Sequence, residues 1–338
     1  MRLRPGRRTC DAAIHGGYAL PATRTSTAPM RGLPRREAGA DPAGRRPGGV
    51  PSRSRSTSPG PARLGSTGLD STDLASASLG RLGSLEARLA RSAAEIHAAQ
   101  ALRYEIFYEE MAAVPCGPAA QRRRDADEFD ALCDHILVLD HAAACGGKPL
   151  VIGTCRLLRQ DTADLNFGFY TASEFDIAPL LAGNSLRFLE LGRSCVREPY
   201  RSRRAVELLW HAVWSYVVRH RMDVMIGCAS LAGTDPDRLA LPLSFLHHHA
   251  LAPVDWRVRA RPHRYIAMDR MAKEAVTGAF RALPPLLKGY LRLRAYVGDG
   301  AVVDSQFGTT DVCMVLPVSG ISRRYVDYYG ADAGRHAC

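Results

Sequence analysis

A chain of 338 residues can bury a substantial core, and its formal net charge of +11 would ordinarily point to a polyanionic partner. Thirteen of its arginines, however, fall within residues 1–65 against only Asp11, Glu37 and Asp41, so this stretch carries +10 of the charge. The remainder is nearly neutral, which excludes a nucleic-acid reading based on charge alone, and no run approaches the roughly 18 apolar residues that span a bilayer.

Residues 1–65 consist almost entirely of Arg, Pro, Gly, Ser, Thr and Ala, too little hydrophobicity to offset the entropy of ordering the chain. Residues 1–75 are therefore set apart as a disordered, basic, low-complexity tail, and 76–330 as the folded domain. The tail suits a targeting peptide, a functional basic arm or translated sequence upstream of the true start, a dispensable or misassigned tail being favoured. No charged region followed by an apolar core marks a secretory signal. The nine cysteines, at 10, 116, 133, 145, 155, 195, 228, 313 and 338, form no C-x-x-C pair. Free core thiols in a reducing cytoplasm are expected, and no metal centre.

In chain order, Ser84 reads as the N-cap of a helix that runs on to Phe107 and closes before Pro115. Residues 135–140 and 150–158, joined through Gly146-Gly147-Lys148-Pro149, read as a hairpin. A short helical stretch near 173–182 precedes a strand over 188–196 with an irregular point at Gly192. Pro199 marks a turn, after which Val206, Leu209, Trp210, Val213, Trp214, Val217 and Val218 recur at helical spacing. A buried strand at 223–228, a helix within 237–250, a strand at 264–268, a helix near 281–294, a glycine-rich turn and a strand at 311–316 complete the pattern. Hairpins followed by a strand-helix crossover predict an α/β (α+β) fold, a mixed sheet flanked by helices.

No Walker A loop and no G-x-S-x-G elbow is present, against a nucleotidase or an ordinary α/β hydrolase. His135 and Asp140 stand five apart on a strand and so face opposite sides, which rules out an acid-base pair. His247, His248 and His249, each about 100° from the next on a helix, do not converge on one ion. Glu190 is different, because a carboxylate inside an apolar strand is costly unless paired or used. It pairs with a cationic substrate, accepts a proton from its amine, or forms a buried ion pair with Arg193 across a bulge at Gly192.

Asp127 and Asp130, three apart, share a face if their loop turns helically, and suit either a cationic amino group or an exposed acidic loop. Arg103 and Phe107, four apart, share one face of the first helix, and Arg156 interrupts an apolar strand, which implies an anionic partner from protein or ligand. Arg197, Arg201, Arg203 and Arg204 surround a helix start, where unpaired N–H groups and the helix dipole favour an anion. A solvated helix start is the alternative for them.

Together, Arg103-x3-Phe107, Asp127-x2-Asp130, Arg156 and Glu190-x2-Arg193 resemble the signature of acyl-homoserine-lactone synthases and their GNAT-fold relatives. Over residues 84–330 the chain more closely resembles the ornithine N-acyltransferases of ornithine-lipid synthesis. The segments LRYEIFYEEM, DEFDALCDHILVLD, ELGRSCVREPYRSRRAVELLW and LPPLLKGYLRLRAYVGDGAVVDSQFGTTDVCMVLPVS carry that likeness. The resemblance implies a GNAT-like sheet and transfer of a 3-hydroxyacyl group from acyl carrier protein to the α-amine of L-ornithine, giving a lyso-ornithine lipid.

By the same resemblance, Glu190 and Arg193 are catalytic, and Arg103, Phe107, Asp127, Asp130 and Arg156 contact substrate. Arg197, Arg201, Arg203 and Arg204 hold the carrier's phosphopantetheine. The expected partners are acyl carrier protein and ornithine, with no tightly bound cofactor. The expected location is cytoplasmic, with peripheral contact at the inner membrane face through the lipid product. Trp210 and Trp214 line an acyl channel or pack in the core.

Two departures bear on the donor and the acceptor. The acetyltransferase loop Q/R-x-x-G-x-G/A is replaced by Arg201-Ser202-Arg203-Arg204-Ala205-Val206, and arginines suit an acidic carrier protein better than the close backbone approach of coenzyme A. Lactone synthases have a tryptophan six residues after the phenylalanine, where Ala113 stands here, and lack the extension beyond about 275, which either covers an acyl tunnel or completes the sheet. A lactone synthase or other carrier-dependent N-acyltransferase, and a non-catalytic acyl-carrier-binding protein, are the alternatives.

Overall fold

The computed structural model describes residues 78–329 apart from 116, 184 and 202, and the tail predicted over 1–75 lies outside the described residues. Ten strands share one sheet in the order β1-β2-β3-β4-β6-β7-β10-β9-β8-β5. These are β1 (Ser78–Leu82), β2 (Leu85–Leu89), β3 (Asp134–Cys145), β4 (Lys148–Arg159), β5 (Phe175–Asp176), β6 (Phe188–Val196), β7 (Val224–Ala232), β8 (Arg259–Ala260), β9 (Tyr296–Asp304) and β10 (Thr309–Pro317). Neighbours are antiparallel except β6 with β7 and β8 with β9. The main helices are α1 (Ala93–Tyr104), α2 (Arg203–Arg219), α3 (Ala240–Ala250), α4 (Pro285–Arg292) and α5 (Arg323–Tyr329).

Alternation along β3 places helices on both faces of the sheet. Leu137 and Leu139 pack with Ala99 of α1, whereas Ile136 and Val138 join the larger core with Leu208 and Ala212 of α2. Helix α2 is the right-length crossover between the parallel strands β6 and β7. Its predicted apolar face is buried at Leu209, Val213 and Val217, but it is centred farther round, on Ala205, Leu208, Ala212 and Tyr216, which leaves Val218 at the exposed edge.

The helix expected from Ser84 onward begins eight residues later. Leu85–Leu89 is a strand, paired with both β1 and β3, and Ser92 is the cap, its side chain accepting from the Glu95 N–H at 3.3 Å. Leu, Glu, Ala and Arg are good helix formers, but sheet pairing on both edges outweighs a few tenths of a kcal/mol of propensity. Glu95 also takes a bidentate bond from Arg88 of β2, at 2.7 and 2.8 Å, which ties the strand to the helix start. At its other end α1 runs directly into a wider π-turn over Glu105–Glu110.

Two further expectations fail near the C-terminus. The strand expected at 264–268 is reduced to one bridge between Ile266 and Ala301, because Pro262 opens a 3-10 turn that reaches Arg264. The glycine-rich turn expected after α4 is instead inside β9, and a tight turn between Asp304 and Thr309 joins it to β10. Gly298 and Gly300 serve close approach: a β-carbon on Gly300, at φ +86°, would meet the Tyr265 ring at 2.4 Å. The extension beyond residue 275 thus completes the sheet, with β10 between β7 and β9. Gly300→Ala is expected to lower stability by about 1–3 kcal/mol through backbone strain and overpacking, measured as a reduced urea midpoint at unchanged slope.

Candidate active site

Strands β6 and β7 pair only from Phe188–Glu190 to Val224–Ile226, although each continues for six more residues. Beyond Glu190 they separate, and β6 carries a bulge. Thr154 of β4 stands opposite Cys195 and Arg156 opposite Gly192, so Arg193 and Ser194 share the single partner Cys155. Arg193 takes the strain, at φ +51°. The sequence marked this irregular point one residue early. Its effect is to let Glu190, Gly192 and Arg193 line one cavity, closed by Arg156, Thr171 and Cys228, with room for about one water molecule.

Glu190 does not pair with Arg193. Its two carboxylate oxygens accept from the backbone N–H groups of Tyr170, at 2.9 Å, and Thr171, at 2.6 Å, on the turn that packs over the cavity. Burial pushes its carboxyl above the ordinary range, opposed by the Thr171 and Tyr170 hydrogen bonds and by the Arg156 charge. A carboxylate held in place by amides, with its proton affinity raised by desolvation, is suited to accept a proton from a neighbouring amine.

Arg193 belongs to a closed ring of six alternating charges. Arg103 bonds Asp125 at 2.8 Å and Asp130 at 2.8 and 2.9 Å; Arg193 bonds Asp125 at 3.0 Å and Asp127 at 3.1 Å; Arg156 bonds Asp127 at 2.5 Å and Asp130 at 3.2 Å. Each guanidinium bridges two carboxylates and each carboxylate two guanidiniums. Asp127 caps the 3-10 turn Glu128–Ala131, and Asp130 returns a bond to the Asp127 N–H, so the loop arrives with its acids preset. Desolvation would raise the Asp125 carboxyl, but Arg193 and Arg103 hold it below the usual range. The predicted substrate residues Arg103, Asp127, Asp130 and Arg156 are therefore brought together, but on one another. Phe107 lies beside them, its ring edge-on to Phe307 at 5.8 Å.

Asp125 was not singled out in the sequence, nor were Tyr170 and Thr171, whose contribution is backbone or ring surface. Tyr170 stacks under the guanidiniums of Arg193 and Arg156, at 5.2 and 5.7 Å. Of the four cradle arginines, Arg197 is paired with Glu105. Arg201 is paired with Glu110 and donates to the Val196 carbonyl at 2.9 Å. Arg204 is exposed at the start of α2, and the side chain of Arg203 lies outside the described residues. Glu105 and Glu110 stand at the two ends of the π-turn, so the predicted cradle abuts the end of α1.

His135 and Asp140 keep separate partners, as their spacing indicated, but of the three consecutive histidines His247 and His248 do bring ring nitrogens within 4.8 Å of each other and of an Asp269 oxygen, contrary to expectation. His135 is spent on the Asp130 carbonyl at 2.9 Å, while Asp140 accepts from the Tyr200 hydroxyl and the Ala142 N–H. His248 bonds the Met271 carbonyl, and with His247 it approaches Asp269, whereas His249 stacks on Phe245. A further group of possible ligand atoms, Glu174, Asp304 and Asp311, is buried and is linked to the Glu190 cavity by Cys228, which lines that cavity and whose thiol is raised by burial and then by Glu174. The reasoning that isolated Glu190 applies equally to Asp311, an acid at the head of an apolar strand.

A crossover helix beside splayed parallel strands, with a bulge on the first and a buried carboxylate at the fork, defines an acyltransferase of the GNAT type. The acetyltransferase (GNAT) domain model matches residues 102–211. The L-ornithine N(alpha)-acyltransferases of Rhizobium meliloti and Brucella abortus are each 55% identical to this chain over 260 residues, 76% of it and 88% and 92% of theirs. That of Rhodobacter capsulatus is 43% identical over 250 residues, 73% of this chain and 95% of its own. The chain belongs to the L-ornithine N(alpha)-acyltransferase family, and the resemblance carried by its motifs is borne out.

Opening the ring strands a buried charge. Asp125→Ala is expected to cost about 3–5 kcal/mol, because both Arg103 and Arg193 lose a partner in the interior. Equilibrium urea unfolding measures this, and a loss under about 1 kcal/mol would show that the ring is not the stabilising element.

Proposed function

We propose that this enzyme transfers a 3-hydroxyacyl group from the phosphopantetheine thioester of acyl carrier protein to the α-amine of L-ornithine, forming a lyso-ornithine lipid. The observation that carries the reading is Glu190, buried at the fork of β6 and β7 and facing a cavity with room for a relay water. The α-ammonium gives a proton to Glu190 through that water, and the freed amine attacks the thioester carbonyl. Backbone N–H groups at the bulge, from Ser194 to Val196, support the oxyanion. Collapse breaks the carbon–sulfur bond and leaves the amide, the proton shed by its nitrogen passing through water to the departing phosphopantetheine thiolate. Arg193 and the ring position the bulge, and no covalent enzyme intermediate is needed.

The other side of β6 supplies the place for the acyl chain. Leu191, Ser194 and Val196 there face Leu209 and Trp210 of α2 and Leu286 and Tyr290 of α4 across an apolar cavity. Trp210 also borders a neighbouring apolar space, with Trp214, Leu293 and Tyr325. The extension thus both completes the sheet and contributes a wall to the acyl channel. Arg204, exposed at the start of α2, is the described residue of this segment that suits the carrier's phosphate and acidic surface. Among the described residues no helix is long and apolar enough to cross a membrane. In this reading the lipid product passes to the inner membrane face through peripheral contact.

Incubation with 3-hydroxyacyl carrier protein and L-ornithine should yield N-acylornithine by mass spectrometry, and its absence would sink the proposal. Glu190→Gln should lower kcat by about 10²–10⁴. For the wild type, kcat/KM should fall on the acid side as Glu190 takes up its proton, at a pH above the ordinary carboxylate range. A flat acid limb would remove the general-base role. Arg203→Ala with Arg204→Ala should raise KM for the acyl carrier protein with little change in kcat, and the effect should shrink as salt is added.

A further inference from the structure

The buried group beside the Glu190 cavity has an unusual balance. Glu174, Asp304 and Asp311 are each fully buried, and a carboxylate oxygen from each lies within 4.8 Å of the others. In every case one oxygen is anchored and the other is not. Asp304 Oδ1 accepts from the N–H groups of Gln306 and Phe307, at 2.9 and 3.0 Å. Asp311 Oδ1 accepts from the Thr309 hydroxyl at 3.0 Å, and Glu174 Oε1 from Arg264 at 3.4 Å. Glu174 Oε2, Asp304 Oδ2 and Asp311 Oδ2 have no hydrogen-bond partner among the described residues.

Among the described residues Arg264 is the one cation bonded to any of the three acids, and only to Glu174, while it also donates to the Val303 carbonyl. Burial and mutual repulsion accordingly push the Asp311 carboxyl up to about 7 and Glu174 well above its usual range. A second observation points the same way. The Tyr170 hydroxyl is buried and has no hydrogen-bond partner among the described residues, and it lies within electrostatic reach of Glu174 and Asp304. The backbone N–H of this same Tyr170 holds Glu190.

We propose that Glu174, Asp304 and Asp311 seat the side-chain ammonium of the amino-acid acceptor while its α-amine stands at Glu190. The proposal rests on the acyl-transfer reading above and adds what decides which of ornithine's two amines is acylated. An ammonium has three N–H donors, one for each unpartnered oxygen. Acceptors about 2.7–2.9 Å from one nitrogen fit within the 4.8 Å limit inside which one oxygen of each acid lies. The two sites adjoin: Cys228 lines the Glu190 cavity and meets Thr171 at 3.8 Å, and its thiol is raised by burial, then by Glu174 and, more weakly, by Glu190. An ornithine with its α-amine at the edge of the cavity, one water away from Glu190, reaches past Cys228 with its side chain. Held there, the second amine stays protonated and cannot attack.

L-Norvaline has ornithine's carbon skeleton without the terminal amine, and a site built to bond that group rejects an analogue lacking it by up to roughly 10⁴–10⁵-fold. The wild type should therefore favour ornithine over norvaline in kcat/KM by at least about 10²-fold. Glu174→Gln and Asp311→Asn, with folding checked by thermal unfolding, should each cut that ratio at least tenfold, chiefly through KM for ornithine. Equal kcat/KM for the two acceptors in the wild type overturns the proposal even if neither variant folds. Folded variants that keep the wild-type ratio overturn it as well. Saturable Mg²⁺ or Ca²⁺ binding that Asp311→Asn abolishes, with acceptor preference unchanged, would make this a metal site instead. Failure of the wild type to form any N-acylornithine overturns the acyl-transfer reading and the ammonium seat together, whereas the other adverse results remove the seat alone.

Discussion

Three guanidiniums and three carboxylates in a closed, buried ring are the constraint on which the site depends. Desolvating each ion costs several kcal/mol, and attraction to a single partner seldom restores it. Closing the cycle gives every charge two neighbours of opposite sign and leaves no net charge inside. The ring also joins α1, the loop from Asp125 to Asp130, β4 and β6. Because the Arg193 guanidinium is fixed by Asp125 and Asp127, its backbone is held at positive φ, and the bulge that opens the site is maintained.

Against this balanced ring stands an unbalanced one. The cluster of Glu174, Asp304 and Asp311 has an excess of negative charge and unused acceptors, and the turn from Tyr170 to Glu174 runs between the two. The ring of Tyr170 lies against the arginines, its N–H bonds Glu190, and its hydroxyl approaches the acids. One residue therefore touches the structural ring and the proposed base, Glu190, and lies within electrostatic reach of the acidic group. Charge neutrality marks the scaffold, and charge excess marks the place proposed for the substrate's ammonium.

The sequence made the sheet's central strands, the crossover helix and the irregularity at Gly192 legible, because apolar period and glycine placement express them locally. Arg156, Glu190 and Arg193 were legible too, through the rule that charge in an apolar context needs a partner, Asp127 and Asp130 through their spacing in a turn, and Arg103 through the helix face it shares with Phe107. Which partner was not, since bonds such as Arg103 to Asp130 or Arg193 to Asp127 join positions far apart in the chain, and only the fold sets their pairing. The strand at Leu85–Leu89 was hidden by helix-forming residues whose state is decided by two neighbouring strands. Gly298 and Gly300 look like a turn because the Val258 carbonyl and the Tyr265 ring they accommodate are invisible to local pattern.

The position of β10 has a consequence for how the molecule is made. The strand at residues 309–317 lies inside the sheet, bonded along its whole length to β7, whose residues precede it by some eighty positions. Until it is synthesised, β7 presents an unpaired apolar edge, of the kind that invites pairing with other chains. Synthesis from the N-terminus exposes that edge for as long as the intervening segment takes to emerge. A nascent chain thus remains vulnerable to aggregation until residues 309–317 emerge, and loss of β10 would leave the middle of the sheet, not its margin, open.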